Sequence, residues 1–360
     1  MMLTQEILSL ILHFNFQQTV IINIDEFLSL RKRLPVVDVR SEGEYDNGHI
    51  PSAMNIPLLN NAERVVVGTT YKNQGQLEAI KAGFRLVGPR LADLIETSQR
   101  IGDEFIVHCW RGGMRSANFC RFMEMARVNT HQLEGGYKTY RRAALESFGK
   151  PFRFIAICGY TGSGKSEILR SIADHGEQIL DLEKIAHHKG SVFGGLMMPP
   201  QPTTEQFQNN LFESILKLDP AKRIWIEDES IAIGKIFLPQ DLWAKMTDSF
   251  LLEINVHKET RIARLVAEYG MADPNDFLDA MTKISRKLGG QHFNAAKEKL
   301  LSKDMSSAID ILLTYYDKAY RNGLEKKKDR IKLYSSWNGT DVHVYARQLI
   351  NEADAVSTFV

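Results

Sequence analysis

A short stretch with the sequence "HCWRGGMRS" places a thiol next to two arginines and two glycines. It follows the apolar run "FIVHC", which predicts a buried strand. A thiolate is a strong nucleophile, and guanidinium groups beside it stabilise both the thiolate and an anionic substrate. Glycines let the backbone curl around such an anion. We therefore predict Cys109 as the catalytic nucleophile, followed by an oxyanion cradle of Trp110, Arg111, Gly112, Gly113, Met114, Arg115 and Ser116.

The other two cysteines stand in different surroundings. Cys120 lies in an apolar helical pattern and Cys158 on an apolar strand, so we expect both in the core. Three cysteines in total are too few for a disulfide framework, and no pair has metal-ligand spacing. A reduced, cytoplasmic protein is the simplest interpretation.

A second stretch, "GYTGSGKS", has the pattern of a phosphate loop between the strand-like "FIAIC" and the helix-like "EILRSIADHG". Backbone N–H groups of such a loop, together with the helix N-terminus, bind phosphate oxygens. Lys165 would add a point charge, and Ser166 could hold a magnesium ion. A nucleotide and an isoprenyl diphosphate both offer a suitable diphosphate. The predicted diphosphate-binding residues are Gly159, Tyr160, Thr161, Gly162, Ser163, Gly164, Lys165 and Ser166.

Acidic residues end two further apolar runs. Glu227 and Asp228 follow the strand-like "RIWIED", and Asp181 ends "QILDL". In phosphate-loop proteins a carboxylate at this place holds magnesium or its waters. We regard the three as candidate magnesium or substrate ligands, with solvated acids at strand ends as the alternative. No metal site is certain from the sequence.

Alternating strand-like and helix-like segments must position these residues, which predicts parallel sheets covered by helices. The first set includes "LPVVDVR", "FIVHC" and an edge-like strand in "VNTHQLEGGY"; the second includes "FRFIAIC", "QILDL", "RIWIED" and "SFLLEINV". Gly149 and Pro151 interrupt regular secondary structure and mark the boundary between two predicted domains, 1–148 and 149–360. The second domain should carry an α-helical extension, because residues 274–322 lack strand signals.

Composition and charge exclude some classes of protein. The net charge of the 360 residues is +1, so only local patches could attract a polyanion. No apolar run is long enough to cross a membrane, and we expect "MMLTQEILSLILHF" to form a first helix packed on the domain. Candidate RNA contacts, each of which could instead be a solvated helix face, are Arg141, Arg142, Arg286, Lys287, Lys326, Lys327, Lys328, Arg330 and Lys332.

The first half resembles rhodanese domains. The segment "VVDVRSEGEYDNGHIPSAMNIP" matches their opening signature, and "LEGGY" matches the segment that closes them. The resemblance implies that Cys109 takes up and passes on a chalcogen atom. Five residues separate Cys109 from Arg115 where ordinary rhodaneses have four. Five is also the spacing of cysteine-dependent phosphatases, which need a carboxylate as general acid. The sequence does not identify that residue, although it does not exclude Asp46 or Glu44.

The joint pattern of both halves resembles bacterial tRNA 2-selenouridine synthases. The most specific motifs are "NIPLLNNAERVVVGTTYKNQG" and "AHHKGSVFG", which generic rhodaneses and generic NTPases lack. The resemblance implies a rhodanese-like parallel-sheet domain followed by a P-loop NTPase-like α/β domain. It also implies conversion of wobble 2-thiouridine in tRNA to 2-selenouridine, with selenophosphate and geranyl diphosphate as co-substrates. The alternative is a cysteine-dependent phosphatase or sulfurtransferase with an accessory nucleotide-binding domain.

Each loop then receives a substrate from the resemblance. The loop from Trp110 to Ser116 would cradle selenophosphate, a tetrahedral oxyanion like phosphate, and the phosphate loop would bind geranyl diphosphate. Alkylation would turn the thiouridine sulfur into a better leaving group for selenium. The apolar segment from Phe193 to Pro202 could help line a cleft for the geranyl chain, or could be an ordinary loop. We expect His187, His188 and Lys189 near the phosphate loop or the substrate, without a specified role.

Overall fold

The computed structural model describes residues 19–356, which divide into two compact units between Leu145 and Glu146. The helix predicted for residues 1–14 lies outside the described residues. Among the residues that are described, no helix has the length and apolarity needed to span a membrane. Each unit is built around its own parallel sheet.

The first unit contains a five-stranded parallel sheet with the strand order β1-β5-β4-β2-β3. Its strands are β1 (Val20–Ile22), β2 (Val36–Asp38), β3 (Met54–Asn55), β4 (Glu104–His108) and β5 (Asn129–Leu133). Its helices are α1 (Ile24–Leu30), α2 (Glu42–Asn47), α3 (Asn61–Gln74), α4 (Gln76–Val87), α5 (Leu91–Gln99), α6 (Met114–Met125) and α7 (Gly136–Ser147). The prediction that β5 is an edge strand is wrong, because the short β1 pairs with its outer side.

The second unit contains another five-stranded parallel sheet, with the order β12-β11-β6-β8-β7. Its strands are β6 (Arg153–Gly159), β7 (Gln178–Leu180), β8 (Arg223–Glu227), β11 (Phe250–Asn255) and β12 (Ile331–Ser336), and a small antiparallel hairpin is formed by β9 (Ala232–Ile233) and β10 (Ile236–Phe237). Sequence reasoning missed β12, because its start falls in the basic run "EKKKDRIK" and its residues alternate between polar and apolar. The predicted α/β class is confirmed.

Helices surround the second sheet. They are α8 (Lys165–Asp174), α9 (Leu182–Ala186), α10 (Thr204–Ile215), α11 (Gln240–Asp248), α12 (Lys258–Tyr269), α13 (Pro274–Thr282), α14 (Ser285–Leu288), α15 (Gly290–Leu301), α16 (Met305–Glu325) and α17 (Val342–Asp354). The run from α13 to α16 is the predicted helical extension, and its apolar side chains form a core of their own with α12 and Phe193.

The sheets explain where the chemistry-bearing residues gather. The cysteine loop follows the carboxyl end of the buried strand β4, and the phosphate loop follows the carboxyl end of β6. Strand β8 runs parallel to β6 and ends at Glu227. Because parallel strands end at the same edge, Glu227 lies at the edge from which the phosphate loop emerges.

Candidate functional site

The cysteine loop turns from β4 into helix α6. Cys109 is 3% exposed, and its Sγ lies 3.2 Å from the Ser116 hydroxyl oxygen. The same hydroxyl lies 3.2 Å from the carbonyl oxygen of Gly113, to which it donates. Ser116, one of the predicted cradle residues, therefore lies in direct contact with the predicted nucleophile.

The start of α7, in the "LEGGY" segment, packs directly on the backbone of the cysteine loop. Tyr137 N donates to the Cys109 carbonyl oxygen at 2.8 Å, and Lys138 N donates to the Trp110 carbonyl oxygen at 3.0 Å. Gly136 has φ of 59°, and a Cβ atom there would lie 2.3 Å from the Cys109 oxygen. Only glycine fits this approach without strain, so the loop geometry depends on it.

The two arginines of the loop have different surroundings. Arg111 is exposed, whereas Arg115 is half-buried and paired with Glu44 of α2. The distances are 2.5 Å from Arg115 Nη1 to Glu44 Oε2 and 3.1 Å from Nη2 to Oε1. Burial raises the pKa of Glu44, but the hydrogen bonds from Arg115 outweigh burial and hold the pKa below its ordinary value. A carboxylate that resists protonation is poorly suited as a general acid, which weakens the phosphatase alternative.

A buried ion pair supports the loop from below. Arg40, which is completely buried, contacts both carboxylate oxygens of Asp38 at 2.6 to 3.0 Å. Its guanidinium carbon lies 4.0 Å from the ring centroid of Tyr137 and 5.7 Å from that of Trp110. The Asp-x-Arg signature therefore positions the aromatic residues around Cys109, and Trp110 remains 37% exposed beside the nucleophile.

The phosphate loop has the expected context of strand, loop and helix. Gly162 and Gly164 adopt φ of 82° and 79°, and α8 begins at Lys165. Lys165 Nζ donates to the Gly159 carbonyl oxygen at 3.1 Å. The Ser166 hydroxyl donates to Glu183 Oε2 at 2.8 Å. The residues around the loop thus include a carboxylate that the sequence did not single out.

Glu183 belongs to an acidic cluster with Glu227 and Glu229. One carboxylate oxygen from each lies within 4.8 Å of the others. Glu227 is completely buried, and neither of its oxygens has a hydrogen-bond partner among the described residues. Burial, followed by the charges of Glu183 and Glu229, raises the pKa of Glu227 well above its ordinary value. Burial also raises the pKa of Glu183, and it raises that of Glu229 to about 7. Such a cluster suits a divalent cation, which takes carboxylate oxygens as ligands.

Of the three predicted acidic ligands, only Glu227 belongs to this cluster. Asp181 accepts from Lys184 N at the start of α9 and from Arg170 Nε, each at 2.9 Å. Asp228 pairs with Lys327 at 2.6 Å. The available signal was the run of three acidic residues, Glu227 to Glu229, at the end of the predicted strand.

Lys327 was predicted as an RNA contact, but it lies at the phosphate loop. A cleft of about 270 Å³ there is lined by residues of the loop, of the acidic strand end and of α16, among them Lys165, Asp228, Glu229, Tyr320 and Lys327. Two lysine ammonium groups therefore border the space above the loop. The charge of Lys165 would complement a diphosphate, whereas Lys327 is already paired with Asp228 and would have to be shared with the anion.

The remaining basic candidates are spread over both units. Arg141 is half-buried. Arg330 donates to the Met246 and Ser249 carbonyl oxygens at 2.8 and 2.9 Å, which gives it a structural contact. The exposed candidates are Arg142, Arg286, Lys287, Lys326, Lys328 and Lys332.

The "AHHKGSVFG" segment packs against the acidic cluster. A Cβ atom at Gly190, where φ is 70°, would lie 3.0 Å from Glu183 Oε1 and 3.1 Å from Glu229 Oε1. His188 is 9% exposed and Nδ1 lacks a hydrogen-bond partner among the described residues, while Lys189 pairs with Glu268 at 2.6 Å. His187 Nδ1 lies 3.0 Å from the Pro200 carbonyl oxygen.

The apolar segment beginning at Phe193 is divided between core and surface. Phe193 stacks on Phe277 at 4.6 Å between ring centroids, whereas Met197 is 61% exposed. Phe193 and Thr161 border an apolar cavity of about 30 Å³. A cavity of that size holds about one water molecule, so a ten-carbon chain would have to widen it.

Comparisons with known proteins agree with both halves of this description. Residues 152–352 match the family model of the tRNA 2-selenouridine synthase AAA domain, and residues 23–143 match the rhodanese-like domain. The tRNA 2-selenouridine synthase of Proteus mirabilis is 33% identical, with 84% of this chain and 92% of that protein covered. That of Nitrosomonas europaea is 28% identical, with 82% and 90% covered. One solved structure is the N-terminal domain of a protein from Clostridium difficile 630 that is described as ATP/GTP binding. It is 43% identical to this chain, the match covers 34% of this chain and 96% of the solved one, and the TM-score is 0.33.

Proposed function

The chain belongs to the tRNA 2-selenouridine synthase family, and from that premise we propose that it is a transferase that replaces sulfur by selenium in the wobble 2-thiouridine of tRNA. The proposal has two reactions, one at each loop. Geranyl diphosphate alkylates the sulfur at the phosphate loop, and selenophosphate then supplies selenium at the cysteine loop. The proposal rests on one observation: the same chain contains both loops. The cysteine loop is held by backbone hydrogen bonds from α7, and the phosphate loop lies next to an acidic cluster.

In the first reaction the thiouridine sulfur attacks the first carbon of geranyl diphosphate. A carbon–sulfur bond forms, the carbon–oxygen bond breaks and diphosphate leaves, while the base loses its N3 proton to solvent. Lys165 and the backbone of the loop would bind the diphosphate, with Lys327 as a second cation. Two ammonium groups lower the cost of the charge that develops on the leaving diphosphate.

The acidic cluster fits a divalent cation such as magnesium. The buried, unpartnered Glu227 oxygens and their two carboxylate neighbours provide the donor set that this ion prefers. Ser166, Glu183, Glu227 and Glu229 would hold it. When bound, the cation neutralises negative charge on the diphosphate.

In the second reaction selenium attacks C2 of the alkylated base. The C2–Se bond forms, the C2–S bond breaks and geranylthiolate leaves, taking a proton from solvent. The Cys109 thiolate attacks phosphorus, the P–Se bond breaks and selenium keeps the bonding electron pair. Water then frees phosphate from Cys109, and N3 regains its proton. Attack at selenium instead would reduce phosphorus and release phosphite, so the electron balance favours attack at phosphorus. The spacing of five residues between Cys109 and Arg115, shared with cysteine phosphatases, supports this assignment.

The tRNA would be held by exposed cations and by Trp110. Phosphate contacts from Arg142, Arg286, Lys287 and Lys326 would make its affinity depend on salt. The exposed Trp110 ring beside Cys109 could stack on an unpaired base, as aromatic side chains do with single-stranded RNA. Arg141 and Lys328 would likewise contribute phosphate contacts.

One assay tests the whole proposal. The full chain is incubated with an anticodon stem-loop containing 2-thiouridine, with geranyl diphosphate and selenophosphate added separately and together, and the nucleoside mass is read. We expect the geranyl adduct with the first reagent and selenouridine only with both. Cys109→Ala should retain geranylation and lose selenation, whereas Lys165→Ala should lose geranylation; Cys120→Ala is the matched control. No mass change under any condition would refute the proposal.

A further inference from the structure

Helices α3 and α4 carry apolar side chains that the fold leaves exposed. No side chain of α3 is fully buried, and α4 buries only Ala79 and Val87. Val66 is 50% exposed, Tyr71 57% and Phe84 56%. Helix α3 and its two cap residues form the "NNAERVVVGTTYKNQG" stretch, which generic rhodaneses lack. Several large apolar side chains exposed on two helices that pack against each other are a candidate interaction surface.

Between these helices and α6 lies a pocket of about 160 Å³. Its walls are almost entirely carbon, including Leu58, Leu59, Val67, Tyr71, Phe84 and Phe122. An apolar cavity of about 150 Å³ holds a ligand the size of benzene. The pocket therefore accommodates part of an apolar chain, and the exposed side chains at its rim extend the same surface.

The pocket is continuous with the cysteine loop. Met114 and Arg115, in the first turn of α6, line it, and Gln76 at the start of α4 contacts Met114, with 3.9 Å between Nε2 and Sδ. Leu58 and Leu59 pack in the same apolar cluster as the Cys109 side chain. Residues of the cysteine loop thus form part of the pocket wall, which places the pocket next to the loop that would hold the reacting base.

We infer that this pocket binds the hydrophobic chain of an S-alkylated 2-thiouridine while its sulfur is exchanged, an inference that rests on the proposed function. The lining decides the class of ligand. Arg115 is the only charged side chain among the lining residues, and Glu44 already pairs with it. Away from Arg115, which adjoins the cysteine loop, an anion among these apolar walls would lose its hydration without gaining a charged partner. The chain stays in the pocket while the C2–S bond breaks, and the geranylthiol leaves from it.

Gly83 provides the test. It lies in α4 and lines the pocket, and a Cβ atom there meets nothing within 4 Å. Gly83→Phe should fill the pocket without a backbone clash, and Gly83→Ala is the matched control that leaves it open. Both remove a helix-interior glycine, so neither should lower the melting temperature. Equilibrium binding of the full chain is measured by anisotropy with two stem-loops, one carrying S-geranyl-2-thiouridine and the other S-methyl-2-thiouridine.

We expect the unmodified chain and Gly83→Ala to bind the geranyl stem-loop at least about tenfold more tightly than the methyl one, since each buried methylene contributes a factor of about four. Gly83→Phe should lose this preference and leave methyl binding unchanged. A preference that survives in Gly83→Phe, or one that is missing from the unmodified chain, overturns the pocket assignment. Selenation of the geranyl stem-loop is followed separately. Its absence despite a pocket-dependent binding preference would refute the proposed function and leave the pocket assignment intact.

Discussion

Arg115 holds the Glu44 carboxylate with both of its terminal nitrogens, at 2.5 and 3.1 Å. The pair fixes the guanidinium in the first turn of α6, the helix that follows the cysteine loop. It also means that an oxyanion entering the cysteine loop meets an arginine whose position is already set. Positioning before binding reduces the entropy that the substrate must lose.

Arg115→Ala should raise the KM for selenophosphate by roughly ten- to a hundredfold, the range expected for a lost hydrogen bond to a charged group. Geranylation at the other loop should not change. Steady-state selenation of a pre-alkylated stem-loop measures the first effect. Arg64→Ala is the matched control, because Arg64 Nε lies 3.7 Å from the same Glu44 oxygen. Equal KM values in the two variants would contradict a role for Arg115 in anion binding.

The product that contains phosphorus reports where Cys109 attacks. Attack at phosphorus predicts one phosphate for each selenouridine and no phosphite, which ³¹P NMR of a completed reaction distinguishes. Phosphite in the products would show that the thiolate attacks selenium instead.

Gly136→Ala should damage the cysteine loop. The added Cβ atom would lie 2.3 Å from the Cys109 oxygen at a φ of 59°. Strain of this kind costs on the order of 2 kcal/mol, so the melting temperature should fall by several degrees. Gly113→Ala is the stability control, because φ is −95° there and the new Cβ atom meets nothing within 4 Å. Melting curves that coincide for the two variants would show that the close approach is relaxed in solution.

Magnesium should stabilise the chain through the acidic cluster. Glu227→Gln removes one of the carboxylates that would bind magnesium. The apparent Kd for magnesium, obtained from the rise in melting temperature with magnesium concentration, should therefore increase by about tenfold. Without metal the variant should also be more stable than the natural chain, because burial raises the pKa of Glu227 and glutamine does not have to take up a proton on folding. Glu253→Gln is the control, as the pKa of Glu253 is raised by burial alone. A magnesium response that Glu227→Gln leaves unchanged would rule out the cluster.

The unliganded chain should lose stability as pH rises. The pKa of Glu229 is raised to about 7, so the folded state holds a proton that the unfolded state has released above its ordinary pKa near 4.5. The contribution of Glu229 to the free energy of unfolding is therefore complete below about pH 4.5, and it is lost as the pH rises through about 7. Glu229→Gln should flatten the profile between about pH 5 and 8, measured by urea unfolding with a chelator present. A slope that is unchanged in the variant would assign the dependence to other groups.

The sequence alone determined both loops and the division into two α/β units. Each loop is a local pattern, in which glycines, a nucleophile or a lysine, and the flanking strand and helix follow one another within a few residues. The conformation of such a loop can be predicted from its local sequence, because the strand and the helix that it joins leave it few other conformations. The Asp38 and Arg40 signature was equally visible, although its task of supporting Trp110 and Tyr137 was not.

Only the tertiary structure decided which distant side chains meet. Glu183 reaches Ser166 from a separate helix, and Gly190 lets a loop approach Glu183 and Glu229. Lys327, far along the chain, lies beside Asp228. Strand β5 is not an edge strand because the three-residue β1 pairs with its outer side. Contacts of this kind depend on the sheet order and on helix packing, which residue types and spacing do not encode locally. The apolar pocket beside Cys109 belongs to the same class, since three separate helices and the chain before them have to converge to form it.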